Sequence, residues 1–586
     1  MSSNKKYWKS VEELNENSSI VKRLRENEFV SEIPTDEFLG NKSALETSST
    51  TRRDFLKYVG FSTAAASLAA CEGPVIKSIP YVVQPESIIP GVANFYATAI
   101  ADGFDFTPIL VKTREGRPIK IENNNLASPE NWANARVNAS VLGLYDNTRV
   151  KGPMKNGKTI SWDNFDVEVN QKLTDVKVKG KEIALLTQTF ASPSTRKLID
   201  AFKESYGNVR HVVYDAVSES ATLDAYQAKY GERALPNYDF SKASTIVSVG
   251  ADFLGDWHGG GFSTGYAQGR IPKDGKMSRH IQFEANMTIT GAKADKRVPM
   301  TPSQQRYALA KLYSLVTGNS VPDGKMSGPM NDAIQSAASQ LKKAGSNGLV
   351  VTGIQDVDAQ TVVLEINSYL KNKALDTSTP IMTREGNDKE VTKLVADMKA
   401  GTIGAIIMSG VNPLFSLPNA ADFKEGLKKT ELSIAFSMND DETASASQYI
   451  AATPHYLESW GDVELKKGQF ALMQPTIRPL FDTRQFQEAL LKWTGNDMTY
   501  LDFIKDTWNS SVLGGTSFSQ ALHDGTFVSN GNTSAMMPNS PTSTASEDKK
   551  KTVVGGISED VTTGSGLKKN EVKPETTPAT TATIAS

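Results

Sequence analysis

The chain has one cysteine, Cys71, and it closes the run TRRDFLKYVGFSTAAASLAAC that carries Arg52 and Arg53 near its start. An arginine pair, Phe-Leu-Lys, a short run of small apolar residues and then Leu68-Ala69-Ala70-Cys71 is the order of a twin-arginine export signal ending in a lipobox. Small residues before the cysteine let a peptidase close on extended backbone. The Cys71 thiol would then be alkylated by a lipid and become the mature N-terminus. The apolar run is shorter than the roughly 20 residues a spanning helix needs. The plainer alternative is a surface helix with an arginine pair and a small buried cysteine. Met1 to Thr50, polar and containing KKYWKSVEEL, is an unusually long extension ahead of such a signal.

With no second cysteine there is no intramolecular disulfide, no CxxC zinc site and no thiolate set for an iron–sulfur cluster. The five histidines, His211, His258, His280, His455 and His523, form no HExxH or other short-range pair, and each reads as a hydrogen-bonded structural residue. Gly259-Gly260-Gly261, after Asp256-Trp257-His258, could bring backbone amides to a phosphate. It lacks the order of GxxxxGKS or GxGxxG and reads as a plain loop. Asp440-Asp441-Glu442 is either acid–base machinery or the acidic start of a helix. No Gly-x-Ser-x-Gly elbow occurs. No catalytic, cofactor-binding or metal-binding residue is therefore assigned.

The elements that would position these groups are legible as apolar runs. FYATAIADGFDFTPILVKTREGRPIKIE, from Phe95, predicts paired strands turning at Glu115-Gly116. From Ile183 the pattern is strand, helix, strand. IALLTQTF leads to a helix capped by Ser192 with Pro193 first, Leu198, Ile199 and Phe202 on one face and a stop at Gly207. HVVYDAV, TIVSVG, LVVTG, AIIMSG and LSIAFS continue the strands, with helices predicted around Arg306 to Leu315, Asp358 to Leu370 and Ala421 to Lys428. Apolar strands alternating with amphipathic helices imply doubly wound α/β lobes, whose ligands sit at the carboxyl ends of the strands.

The order along the chain is then a polar extension (1–50), signal and lipobox (51–71), extended tether (72–94), small β-rich lobe (95–182), α/β lobes (183–500), helical segment (501–529) and low-complexity linker (530–586). The linker, rich in Ser, Thr, Asn, Gly, Lys and Pro, cannot bury enough apolar surface to order and reads as disordered, leading to a further segment or lying along a partner. A length of 586 residues, hydrophobic content of 39% and charged content of 22% describe a globular body with polar tails. A net charge of -2 argues against a nucleic-acid partner.

Several stretches together resemble the molybdopterin oxidoreductase family, the dimethyl sulfoxide reductase superfamily. They are GRPIKIENN (116–124) with SPEN (128–131), LYDNTRVKGPMK with NGKTISWDNF (156–165), QFEANMTITGAKADKRVPMTP (282–302), SGVNPLFSLPNA (409–420) and DDETASASQYIAATPHYLESWGD (440–462). They run from Gly116 to about Gly495. The departures are as informative. ANARVNASVLG stands where the family's cluster-bearing members have a fourth cysteine, and no cysteine follows Cys71 to ligate molybdenum.

Together with the pre-signal extension, ADFLGDW (251–257) and HYLESWGD (455–462), the chain resembles the iron–sulfur subunits of alternative complex III, of Bacteroidetes type. That resemblance implies a molybdopterin-fold half without cofactor. Iron–sulfur clusters would sit in a following or partner ferredoxin-like domain and haem c in a multihaem cytochrome subunit. Quinol-binding membrane subunits, and a haem-copper oxidase where one is attached, complete the partners. The place would be the periplasmic face of the inner membrane, held by lipid and partners. The alternatives are an active molybdenum or tungsten bis-pterin oxidoreductase with a non-cysteine ligand, and an exported lipoprotein binding a small ligand at its α/β switch point.

Overall fold

The computed structural model describes residues 91–128, 132–321 and 326–529. Arg52, Arg53 and Cys71, the extension before them, the tether up to residue 90 and the stretch from residue 530 lie outside the described residues.

Two parallel sheets dominate. The larger has seven strands in the order Lys158–Thr159, Met154–Lys155, Tyr449–Ala452, Leu432–Ser437, Ile403–Ser409, Glu182–Thr187, Val209–Val213. The last five of these are parallel, and the first two form an antiparallel edge hairpin. The smaller has four parallel strands in the order Lys296–Pro299, Arg279–Glu284, Thr245–Val249, Gly348–Thr352. Every residue of Ile403–Ser409 and of Thr245–Val249 is buried, which is why these strands read as unbroken apolar runs rather than alternating ones.

The period-2 geometry of a strand sends neighbours to opposite faces. Leu185, Ile407 and Ile434 pack with Phe165, Leu198 and Phe202 on one side of the larger sheet. Ala184, Leu186, Ile406 and Met408 meet Leu394, Val395 and Phe423 on the other. The smaller sheet divides likewise, Val247, Ile281 and Val350 against Leu309, Ile334 and Val363, and Ile246, Leu349 and Val351 against Phe240, Phe253 and Tyr266.

The helices begin where their caps dictate. Ser192 accepts from the Thr195 amide ahead of Pro193–Tyr206, and Gly207 ends that helix at φ 83°. Thr301 and Gln304 form a capping box at Pro302–Thr317. Asp356 caps Val357–Tyr369.

Three features differ from the sequence reading. The interval 95–182 is β-rich only as far as the three-stranded antiparallel sheet Asn94–Ala101, Phe106–Arg114, Arg117–Asn123. Its end is the helix Trp162–Val178, which buries Phe165, Val169, Leu173 and Val176 at helical spacing beneath the larger sheet. An antiparallel sheet ordered Thr526–Val528, Gln469–Met473, Gly461–Lys466, Leu375–Ile381, Leu235–Tyr238 was not foreseen, because strands such as LDTSTPI are polar and half-exposed. The segment 501–529 is helical over Tyr500–Ser511 and Phe518–Asp524, then ends as a strand of that sheet.

Candidate functional site

Each parallel sheet opens a cavity at the carboxyl ends of its strands, where a doubly wound fold offers its ligand site. At the smaller sheet the chain leaves Val249 through Gly250, at φ 74°, and leaves Thr352 through Gly353. A Cβ on Gly353 would lie 2.3 Å from the Gly250 carbonyl oxygen, so only glycine lets these two strand ends meet. They border a cavity of about 920 Å3 whose wall includes Glu219, Asp252, Trp257, His258 and the glycines 259–261. These three glycines all have positive φ, at 91°, 86° and 92°, a path closed to most side chains. The run read as a plain loop therefore forms cavity wall.

At the larger sheet, Gln188, Gly410, Asn412 and Ser437 leave the ends of three strands and border a second cavity of about 590 Å3. Gly410 has φ 68°, and a Cβ there would lie 2.4 Å from Gln188 Cδ. With its amide oriented to satisfy both neighbours, Gln188 donates to the Asp102 carbonyl at 2.9 Å and to the Gly410 carbonyl at 3.1 Å.

Between the cavities runs the turn that joins the first two strands of the small sheet. Asp102 lines the second cavity, while Phe104 and Asp105 line the first. The turn is pinned internally by Asp102 Oδ1, which accepts from the amides of Phe104 at 3.1 Å and Asp105 at 2.8 Å. The Phe104 ring lies between two guanidinium groups, Arg136 at 4.7 Å and Arg384 at 5.0 Å from its centroid. Arg136 forks onto Asp105 (2.9 Å and 2.9 Å) and onto Asp256 (2.9 Å and 3.0 Å). Arg384, 2% exposed, donates to the carbonyls of Phe104 at 2.9 Å and Thr383 at 2.8 Å. This wedge was not found from sequence, since its parts come from residues 102–105, 136, 256 and 384, and no local spacing joins them.

Four histidines have partners and one does not. His211 Nε2 meets Thr187 Oγ1 at 2.8 Å, His280 bonds Gln282 at 3.1 Å, His455 bonds the Ser140 carbonyl at 3.1 Å, and His523 bonds Asp524 at 2.9 Å. His258 is the exception to the expectation of hydrogen-bonded structural histidines. It sits at φ 53°, stacks on Trp257 with centroids 3.7 Å apart, and is 3% exposed. Neither ring nitrogen, nor the Trp257 indole nitrogen, has a hydrogen-bond partner. The nearest charge is Glu219, at 3.5 Å from Nε2. Burial, the largest influence, pushes the His258 pKa down, so the ring is neutral at pH 7.

Asp441 resolves the acidic cluster in favour of the helix start, since its carboxylate accepts from the amides of Thr443 at 3.0 Å and Ala444 at 2.8 Å. Glu442 accepts from Asn412 Nδ2 at 2.7 Å. Among the described residues no three His, Cys, Asp or Glu side chains converge to hold a metal ion.

The electrostatics of both cavities run the same way. The first is lined by Asp105, Glu219, Asp252 and Asp256 against Arg136 and Lys466. The second is lined by Asp102, Asp441 and Asp462 with no lysine or arginine. Such walls suit cationic groups and neutral hydrogen-bond donors better than phosphates.

No family model matches the chain. It is similar to a protein of Nitratidesulfovibrio vulgaris named menaquinone reductase, molybdopterin-binding-like subunit, with 24% identity over 508 residues, 76% of this chain and 72% of that one. Among solved structures it is similar to acetylene hydratase from Pelobacter acetylenicus, with TM-score 0.58 and 13% identity, covering 74% of each chain. The fold is thus that of the molybdopterin oxidoreductases, the resemblance read from the motifs between Gly116 and Gly495.

Proposed function

We propose that the chain is the non-catalytic scaffold half of the iron–sulfur subunit (ActB) of an alternative complex III, a quinol-oxidising electron-transfer complex. The observation that carries this reading is the chemistry of the two strand-end cavities. A pterin cofactor of this fold carries phosphate and a metal that needs soft or anionic ligands. Here carboxylates outnumber cations in both walls, and Arg136 is already shared by Asp105 and Asp256. The only thiol of the sequence is Cys71, ahead of the whole fold. The residues present do not fit a phosphate-bearing pterin held through cysteine. Nor can the chain hold an iron–sulfur relay to carry electrons away from such a site, because the usual cluster ligands are missing.

The relative named as a menaquinone reductase subunit supports the quinone-linked setting. In that setting the chain docks a ferredoxin-like iron–sulfur domain, quinol-binding membrane subunits and a multihaem cytochrome c, with a haem-copper oxidase beyond. Twin-arginine export through Arg52 and Arg53 and acylation of Cys71 place it at the periplasmic face of the inner membrane. Among the described residues no helix is long and apolar enough to cross a membrane, so lipid and partners would supply attachment.

The test is purification of the tagged full chain from detergent-solubilised membranes. Haem c absorbance and iron–sulfur electron paramagnetic resonance signals are expected to co-elute with it in fixed ratio. A chain that elutes alone contradicts the proposal.

A further inference from the structure

We propose that the hairpin 271–277 is a docking finger for an acidic surface of a partner subunit. This rests on the docking role above and extends it, by naming the surface that docks and the charge it meets. All seven residues are exposed, Ile271 to 61% and Met277 to 51%. The finger is nevertheless held in one shape. Lys273 and Lys276 exchange backbone hydrogen bonds at 2.8 Å and 2.9 Å around Asp274 and Gly275, whose φ of 52° and 72° make the two-residue turn of a tight hairpin. Its base is fixed as well. The Ser278 amide donates to the Gly269 carbonyl at 2.8 Å, and Arg270 donates to the Ser278 carbonyl and forks onto Asp295 at 2.7 Å and 2.8 Å. A projection shaped in advance loses little conformational freedom on binding. Arg279 opens the strand Arg279–Glu284, so the finger stands at the amino ends of the smaller sheet, away from the cavity at the carboxyl ends.

The charge is one-sided. Lys273, Lys276 and Arg279 are joined at the base by Lys293 and Lys296, which lie on either side of Asp295 in the chain. All five are exposed, and among the described residues none of their side chains has an ion pair or hydrogen bond. The finger's one carboxylate is Asp274, and the Asp295 carboxylate is already taken by Arg270. Five unpaired cations round a projection that exposes Ile271 and Met277 call for a surface that supplies carboxylates around an apolar hollow. A lipid surface fits less well. The tip is Asp274-Gly275, which brings a negative charge and no apolar side chain to the headgroups, whereas a membrane-binding face buries apolar residues there. A protein surface can place a donor for Asp274 within an otherwise acidic rim.

The experiment places a benzophenone amino acid at Met277, and separately at Ile271, in the full chain expressed in its own host. The solubilised complex is irradiated and the adduct is located by mass spectrometry. The expected adduct is to another subunit, in a segment rich in Asp and Glu. The double variant Lys273→Glu, Lys276→Glu removes no side-chain partner within the described residues, and is expected to lower the adduct yield about tenfold. Raised salt is expected to lower the yield of the unaltered finger as well. An adduct to lipid, an adduct to a segment without acidic residues, no protein adduct from either position while the other subunits still co-purify, or a yield that the double variant leaves unchanged, overturns the finger. If no subunit co-purifies even with the unmodified chain, the docking role itself fails, a distinguishable result.

Discussion

At the residue scale the most committed side chains are buried ions that hold the body together. Arg149 and Glu458, with side chains 1% and 0% exposed, form an ion pair in which Glu458 also accepts from the amides of His455 at 2.7 Å and Leu480 at 2.9 Å. Arg149→Leu strands that carboxylate and is expected to cost about 3–5 kcal/mol in urea unfolding of the purified chain. His280 gives a pH signature. It is fully buried, and burial, the largest cause, lowers its pKa from 6.5 to about 4. The folded state thus favours the neutral ring, so this contribution is complete above pH 6.5 and is lost as pH falls from there towards 4. Stability is expected to drop by about 2 kcal/mol from pH 7 to pH 5 on this account, and His280→Gln to remove that part of the slope. Residue types alone disclosed that the sequence holds a single thiol, Cys71, but left Gly259 to Gly261 as a plain loop, which the structure puts in a cavity wall. They could not disclose the Phe104 wedge or the unpaired His258, because both depend on side chains brought together from distant parts of the chain.

Elements are joined at a few shared polar points. Asp462, on the strand Gly461–Lys466, accepts from the hydroxyl of Ser192, from Ser194 Oγ at 2.6 Å and from Trp508 Nε1 at 2.8 Å, tying the helix Pro193–Tyr206 to the helix Tyr500–Ser511. Asp462→Ala leaves these buried donors unpaired and is expected to cost about 3 kcal/mol, seen as a lowered urea midpoint. Gly353→Ala forces a Cβ against the Gly250 carbonyl and is expected to separate the ends of the neighbouring strands Thr245–Val249 and Gly348–Thr352 of the smaller sheet. The measurement is loss of soluble chain, or a fall of about 2 kcal/mol or more in unfolding free energy. Parallel strands were legible because burial on both faces forces unbroken apolar runs, and the helix after Ser192-Pro193 because that pair marks a helix start locally; the Thr301-Pro302 start, ahead of the helix read around Arg306 to Leu315, was missed. The antiparallel sheet was not legible, since its strands are short, its strand Leu375–Ile381 is polar and half-exposed, and that strand pairs with Leu235–Tyr238 more than a hundred residues away.

For the whole molecule, the proposal is a fold kept for its surfaces and cavities rather than for a reaction. The two parallel sheets each open a cavity at their strand ends, and the walls carry seven carboxylates, four in one and three in the other. Assembly is then the activity, and its loss should appear as loss of quinol oxidation by the complex without any change in a reaction at this chain. The most direct test is the molybdenum, tungsten and extractable pterin content of the natively purified complex, expressed per copy of this chain. A scaffold is expected to give values near zero while iron and haem remain stoichiometric. One molybdenum or tungsten with pterin per chain would contradict the scaffold and make the chain an oxidoreductase.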